Sequence, residues 1–468
     1  MAKMEKTMRL YLINPKNSIM NLDLKVNYFN KFRVWKPLGL LILAGLTPKE
    51  WEITIIDENT MNVNYETMPQ PDLVGITAFT SQASRAYEAA AYFRKNNIPV
   101  VMGGIHATMC SEEALKFVDI VVKGEAESVW AQVLEDVKNK SFQTIYEGEH
   151  LDLSHVPIAR HDLLPKEKYF FGSIQTSRGC PLNCTFCSVT AFNGRQFRRR
   201  PIESVIEELK LIKQKYVLIV DDNLIGTRKE HIDYAKDLFR AIIKSKIKKK
   251  FMAQVTINLA DDDELMSLAR KAGCWGVFIG FESPHTEGLI EIKKKFNMGE
   301  NRNHKEAVAR MHKHGLLIAG SFIMGLDVDK PGIGKTIAEA AKYYDIDILN
   351  SMILTPLPGT VLWDKMQGEN RIMTDDYPND WKYFTLTFPV AKYTHMTQYE
   401  IIQEEEMCSR NFYPLSKIIF KFIKSIFTKK NSIALLLTEL SYRSNAMNYA
   451  KNTLNSSFLD KQGDKQLR

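Results

Sequence analysis

The 468-residue chain is poor in cysteine (6), glycine (24) and proline (17), and it has no long apolar run. Six cysteines are too few for a disulfide scaffold. Glycine and proline at this level exclude collagen-like and low-complexity chains. The longest unbroken apolar run, 38–46, contains Gly39 and Gly45 and falls far short of the ~20 residues that a bilayer span takes. Residues 1–9 carry charge with no leader-type apolar region behind them, so a reducing cytoplasm is the expected compartment. No repeat of solenoid period is present. What is present is ordinary globular composition, 45% hydrophobic and 25% charged, in a chain long enough for about two or three domains.

The formal net charge of +8 is uneven. Residues 401–468 hold 11 Lys/Arg against 6 Asp/Glu, a net of +5, which leaves +3 for the rest. A basic tail on a near-neutral body argues for a local anionic partner rather than a nucleic-acid-binding body, and no nucleic-acid partner is expected.

Hydrophobic patterning divides the chain into four parts. Residues 1–145 alternate strand runs (8–13, 51–57, 72–79, 98–102, 119–122) with helical patterns, which predicts an open, doubly wound parallel sheet of Rossmann-like type. Ligands in such sheets lie outside the carboxyl ends of the strands. Residues 146–172, with Pro157 and Pro165, read as a linker. Alternation resumes over 173–395, with strand candidates at 173–177, 216–221, 251–257, 275–281, 316–324 and 346–354. Six β/α units fit a partial (β/α)6 barrel of TIM type, so the fold class is α/β. Residues 396–468 read as a helical, basic extension.

The most informative motif follows the first barrel strand. Gly179-Cys180-Pro181-Leu182-Asn183-Cys184-Thr185-Phe186-Cys187 is C-x3-C-x2-C. Three thiolates on one loop suit three corners of an iron–sulfur cubane, which ordinarily takes four cysteines. No fourth lies near, and the open iron would then accept a substrate or cofactor. Gly179, Pro181 and Asn183 are turn formers that let a loop wrap a bulky body. The alternatives are a zinc site completed by a distant histidine, or thiols without metal.

This motif, with Phe186 before the last cysteine, resembles the radical S-adenosylmethionine superfamily. The likeness continues through 195–208, Asp221-Asp222-Asn223, Gly280-Phe281-Glu282-Ser283, 321–327 and 354–362. It is most similar to the branch with an N-terminal cobalamin-binding domain, and within it to the hopanoid C-2 methylase-like group. The resemblance implies that Cys180, Cys184 and Cys187 ligate a [4Fe–4S] cluster and form the catalytic core. Its open iron would chelate S-adenosylmethionine, whose reductive cleavage yields a 5′-deoxyadenosyl radical. Phe186 would lie against the adenine, or be ordinary packing. Glu282 would accept the ribose hydroxyls, or form a structural salt bridge. Ser321 and Gly325, in the small-residue stretch ending the fifth strand, would let the purine approach the backbone. Asp222 would contact S-adenosylmethionine or substrate; the alternative is that Asp221 or Asp222 caps a helix or orders the loop. Arg195, Arg198, Arg199 and Arg200 form a basic loop suited to a carboxylate or phosphate, or merely solvated. His285 and His304 receive no role, and Cys274 reads as a buried structural thiol.

In the first domain, Thr80 and Ser81, Gly103 and Gly104, and Gly124 stand at three strand ends and resemble a cobalamin cradle. The D-x-H-x-x-G motif of methionine-synthase-like domains is missing, because Asn14-Pro15-Lys16-Asn17-Ser18 has no histidine. His106 follows a different strand and is not read as a cobalt ligand. A vestigial packing domain is the alternative.

Residues 413–430 hold Lys417, Lys421, Lys424, Lys429 and Lys430 among apolar residues, a pattern for a peripheral contact at the inner membrane face or for lysines snorkelling from a packed helix. The resemblance implies a cobalamin-dependent methyltransferase acting on an unactivated carbon of a small-molecule or lipid substrate, fed by a flavodoxin- or ferredoxin-type electron donor. The rivals are a non-methylating radical enzyme (oxidative cyclase, rearrangement or carbon–carbon coupling) and a non-catalytic metal-binding adaptor.

Overall fold

Apolar residues on both faces explain the first sheet. In β1 (Met8–Asn14), Leu10 and Leu12 pack into one covering layer, and Tyr11 and Ile13 into the other. Such a strand has no polar side, as a parallel strand buried between two helical layers requires. The computed structural model describes residues 7–19, 34–299 and 303–416, with scattered positions between 418 and 459. β2 (Trp51–Asp57), β3 (Leu73–Thr77), β4 (Val100–Gly103), β5 (Ile120–Gly124) and β6 (Ile145–Gly148) complete a parallel sheet of order β2-β1-β3-β4-β5-β6. The order turns back between β1 and β3, so a crevice opens at the carboxyl ends of the strands.

Five strands were expected here, and the sixth lies where the linker was placed. β6 is short and buries only Tyr146, too little pattern to read from sequence. The rest of that stretch is not a free linker. Leu153, Val156, Ala159, Leu164 and Tyr169 are buried against the first sheet.

The second sheet begins with β7 (Phe171–Ile174). β8 (Ser177–Arg178) and β9 (Arg198–Arg199) form a small antiparallel ribbon. β10 (Tyr216–Ile219), β11 (Lys250–Val255), β12 (Cys274–Glu282), β13 (Leu317–Met324) and β14 (Ile348–Ile353) follow. The order β14-β13-β12-β11-β10-β7 is sequential and parallel, the expected partial (β/α)6 barrel. In β11, Phe251, Ala253 and Val255 join the core shared with the helices. Met252 instead groups with Phe278, Ala319 and Ile348 in a separate apolar cluster.

The barrel reading extended to 395, yet its last stretch returns to the first domain. Trp381, Tyr383, Phe384, Phe388 and Val390 belong to the core on one face of the first sheet. Trp381 Nε1 donates to Glu113 at 2.8 Å, and Ser84 Oγ donates to the Pro378 carbonyl at 2.6 Å. An aromatic strap thus ties the two domains together. Its residues lack strand or helix period, so the sequence does not assign them.

The helix Gln398–Phe412 opens the extension and packs on the helix Ile333–Tyr343. Glu404 accepts from the amides of Gly332 and Gly334, both at 2.7 Å, and so caps a neighbouring helix whose first amides have no internal partner. Tyr413 Oη accepts from the Leu349 amide and donates to the Leu349 carbonyl, each at 2.8 Å, which covers the edge of β14. Lys417, Lys421, Lys424, Lys429 and Lys430 lie outside the described residues. Among the described residues no helix is long and apolar enough to cross a membrane.

Two stability predictions follow from this packing. A Cβ on Gly334 would sit 2.0 Å from the Glu404 carbonyl oxygen. Gly334→Ala therefore parts the two helices and destabilises the fold by about 1–3 kcal/mol, read as a lower melting temperature. At the exit of β13, buried Asp329 accepts from Gly325 and Leu326 at 2.9 and 3.0 Å. Burial, with the Glu291 charge nearby, pushes its carboxyl up to about 7. The folded chain then binds this proton more tightly than the unfolded chain, so the contribution is complete below the usual carboxylate range and is lost as pH rises towards about 7. Asp329→Asn should flatten the fall of stability with pH across that window by on the order of 3 kcal/mol in denaturant titrations.

Candidate functional site

The three cysteines sit on the loop between β8 and the short helix Ser188–Asn193. Two features fold that loop. Gly179 has φ +87°, and a Cβ there would lie 1.9 Å from the Gln196 carbonyl oxygen, so only glycine fits. Asp222 accepts from the Gly179 amide at 2.8 Å and from Asn193 Nδ2 at 2.9 Å, clasping both ends of the loop. Of the readings open for Asp222, this geometry is loop ordering. Asp221 does the same one step earlier, accepting from the Thr176 amide at 2.6 Å and from Ser177 Oγ at 2.7 Å.

Cys184 is buried, and Cys180 and Cys187 are partly exposed. Burial pushes the Cys184 thiol up to about 12, against the pull of the Lys294 ammonium, and burial raises Cys180 and Cys187 as well. Among the described residues no three His, Cys, Asp or Glu side chains converge to hold a single metal ion. Three thiols spread along one loop instead fit a polynuclear body with a thiolate at each of three corners.

Behind the loop lies a residue that the sequence reading missed. Lys294 is buried, its Nζ is 3.0 Å from Glu282 Oε1, and its charge reaches all three thiols. Burial works against its charged form, but Glu282, Cys184 and Cys180 outweigh that and hold the ammonium above its usual range. Glu282 ends β12 with φ +68°, a strained conformation for a residue with a side chain. The salt bridge weighed for Glu282 is thus present, and it turns towards the cysteine loop. Lys294 hides in the run Lys293-Lys294-Lys295, which reads as a solvated charge cluster.

The remaining barrel candidates have mixed surroundings. Ser321 is buried, and its Oγ accepts from Asn350 at 3.3 Å. Gly325 lies under the Tyr393 ring, where a Cβ would come within 2.7 Å. Phe186 is partly buried against the barrel core. Of the four loop arginines, Arg198 and Arg200 turn inward, Arg200 to Glu208 at 2.8 Å, while Arg195 and Arg199 remain exposed.

At the carboxyl ends of the first sheet, Thr80 is buried, and the Ser81 carbonyl accepts from Asn17 at 2.6 Å. Asn17 stands in the stretch that lacks the cobalt-ligating histidine, and it is engaged in joining two strand ends. Gly103 has nothing within 3.7 Å of an added Cβ, whereas Gly104 meets Thr77 and Gly124 meets the Gly148 carbonyl oxygen. Gly103 therefore lies in ordinary contact with Val122 and would tolerate a side-chain carbon, while Gly104 and Gly124 serve close packing. His106 is fully buried, with Nε2 2.9 Å from Tyr87 Oη.

The two sites meet across buried charge. Glu125, just after β5, lies 3.2 Å from Arg178 and 2.5 Å from Arg198, and Arg178 also pairs with Glu127. Arg178 and Arg198 are the facing residues of the β8–β9 ribbon that carries the cysteine loop. The helix Gly104–Met109, which follows Gly103, contacts the helix Ser188–Asn193 of the loop itself. Burial disfavours the Glu125 carboxylate, but the Arg198 and Arg178 guanidiniums more than offset it and hold its carboxyl below the usual range.

Comparison with known proteins agrees with this architecture. The family model of the radical SAM superfamily matches residues 174–339, and that of the B12 binding domain matches residues 31–134. The chain is 30% identical over 349 residues to the hopanoid C-2 methylase of Rhodopseudomonas palustris, covering 73% of this chain and 66% of that protein, just under two thirds of its length. It is also 30% identical over 424 residues to an uncharacterised methyltransferase of Pyrococcus horikoshii, covering 83% of this chain and 90% of that one. Its fold is similar to that of OxsB, a cobalamin-dependent S-adenosylmethionine radical enzyme solved with aqua-cobalamin and S-adenosylmethionine bound. That match has TM-score 0.68 at 15% identity and covers 98% of this chain and 81% of the other. The chain belongs to the radical SAM superfamily, in the branch that joins a B12-binding domain to the radical SAM barrel.

Proposed function

We propose that the chain is a cobalamin-dependent radical S-adenosylmethionine methyltransferase that methylates an unactivated carbon of a small-molecule or lipid substrate. The observation that carries this reading is the buried Glu125–Arg178–Arg198 junction, which sets the strand ends of the B12-binding domain against the three-cysteine loop. A methyl carrier and a radical generator must act on one substrate, so their sites must face each other.

When bound, a [4Fe–4S] cluster and a cobalamin would supply one-electron cleavage of the S-adenosylmethionine sulfonium and methyl transport. Cys180, Cys184 and Cys187 would hold the cluster, and Lys294 offsets the negative charge of three thiolates in a buried setting. Lys294 and Glu282 together offer a cation for a carboxylate and an acceptor for hydroxyls at the mouth of β12. Thr80, Ser81, Gly103, Gly104 and Gly124 would border the corrinoid at the strand ends. Met252, Phe278, Ala319 and Ile348, at or before the middle of their strands, give the barrel an apolar floor below the carboxyl ends of those strands. A one-electron donor of flavodoxin or ferredoxin type completes the scheme. The lysine-rich 413–430 stretch supports a peripheral contact with an anionic membrane face.

Anaerobic turnover with methyl-labelled S-adenosylmethionine tests the proposal. Label in the product is expected; formation of only 5′-deoxyadenosine and methionine would turn the reading to a non-methylating radical enzyme. Cys184→Ala should lose the bound iron and all cleavage, and retention of an intact cluster in that variant would sink the ligand assignment. Lys294→Met leaves Glu282 buried and unpaired, an expected loss of about 3–5 kcal/mol in stability. Adding Glu282→Gln should recover much of that loss in thermal melts while S-adenosylmethionine binding, measured by calorimetry, stays weakened.

A further inference from the structure

An open cavity of about 350 Å³ lies against the cysteine loop, lined by Pro181, Phe197, four arginines, His231 and a few neighbours. Pro181 stands between Cys180 and Cys184. The cavity wall is continuous with that loop, because the Cys180 amide donates to the Gly194 carbonyl at 3.4 Å and Gly179 lies against Gln196. Four arginines face a single acid, Glu230, on this lining. Arg198 is neutralised by buried Glu125, and Glu230 pairs loosely with Arg228 at 3.6 Å. Arg195 and Arg199 remain exposed, with Arg199 set over the Tyr234 ring. At the centre, Phe197 stacks on His231 with ring centroids 4.2 Å apart.

A cationic rim around a small aromatic centre is the composition of a protein-docking patch rather than of a solvated loop. Its place decides the partner. The patch borders the loop that must receive an electron, through Pro181 between Cys180 and Cys184. We propose that Arg195, Arg199 and Arg228 form the docking face for an acidic one-electron carrier protein that reduces the bound cluster. This rests on the function proposed above. The step is balanced as one electron leaving the reduced carrier, which is oxidised, and entering the cluster, which is reduced, with no bond made. Steering by opposite charge speeds encounter and makes the rate fall with salt, which suits a brief, weak complex.

The test compares two reductants on the reconstituted holoenzyme. Dithionite reaches the cluster without docking, whereas a reduced bacterial flavodoxin of net negative charge must dock. The double variant Arg195→Glu/Arg228→Glu should cleave S-adenosylmethionine at the parental rate with dithionite, yet be reduced by flavodoxin at least about tenfold more slowly. The parent's flavodoxin rate should fall steeply with salt, and the variant's should not. An unchanged flavodoxin rate in the variant, a salt-independent parental rate, or a parent that responds to dithionite but neither to flavodoxin nor to an acidic ferredoxin would overturn the docking face. A parent that cleaves nothing with dithionite would instead overturn the functional reading beneath it.

Discussion

The structure depends on one buried charge junction. Glu125 leaves the last long strand of the first sheet and meets Arg178 and Arg198 on the ribbon that bears the cysteine loop. Buried ion pairs add little net stability, because desolvation consumes most of the Coulombic gain. What they add is position, since a guanidinium pairs with a carboxylate in few geometries. Other polar ties between the domains, such as Trp381 to Glu113 and Ser84 to the Pro378 carbonyl, lie on the strap and not on the cysteine loop. With the junction, the strand ends of one domain and the loop of the other are held in register.

A second tie works by packing. The strap around Trp381, Tyr383 and Phe388 leaves the barrel, enters the core of the first sheet, and returns before the helix Gln398–Phe412. It makes the domains halves of one body. The barrel core is in turn closed at β14 by Tyr413 and by the helix that Glu404 anchors. These ties hold the cysteine loop against the first domain, and Arg195 and Arg199 beside it stay exposed.

Much of this was legible in the residues. The alternation of apolar runs with helical patterns carried both sheets, because burial on two faces leaves a plain signature in strands such as β1. The spacing of Cys180, Cys184 and Cys187 marked the three-cysteine loop, since side chains that share a short loop are close in sequence. Other features were not legible. β6 is too short to show a period, and the strap has none. Lys294 sits within three consecutive lysines, and nothing local marks the middle one as buried. Arg198 and Arg200 looked like Arg195 and Arg199, yet the first two face carboxylates inside while the other two stay exposed, Arg199 donating to the Glu230 carbonyl. The glycines at strand ends also divided, with Gly103 in ordinary contact with Val122 and Gly124 pressed against a neighbouring carbonyl.

The sequence by itself determined the order of the elements, the α/β class and the position of the three-cysteine loop. All three depend on contacts or periodicities within a few residues, which a linear chain records directly. Only the tertiary structure decided which charges are buried, which partner each takes, and that Glu125, Lys294 and Glu282 converge on that loop from distant segments. The physical reason is that a charge's role is set by its dielectric surroundings and by neighbours far along the chain. Neither is written in the residues beside it.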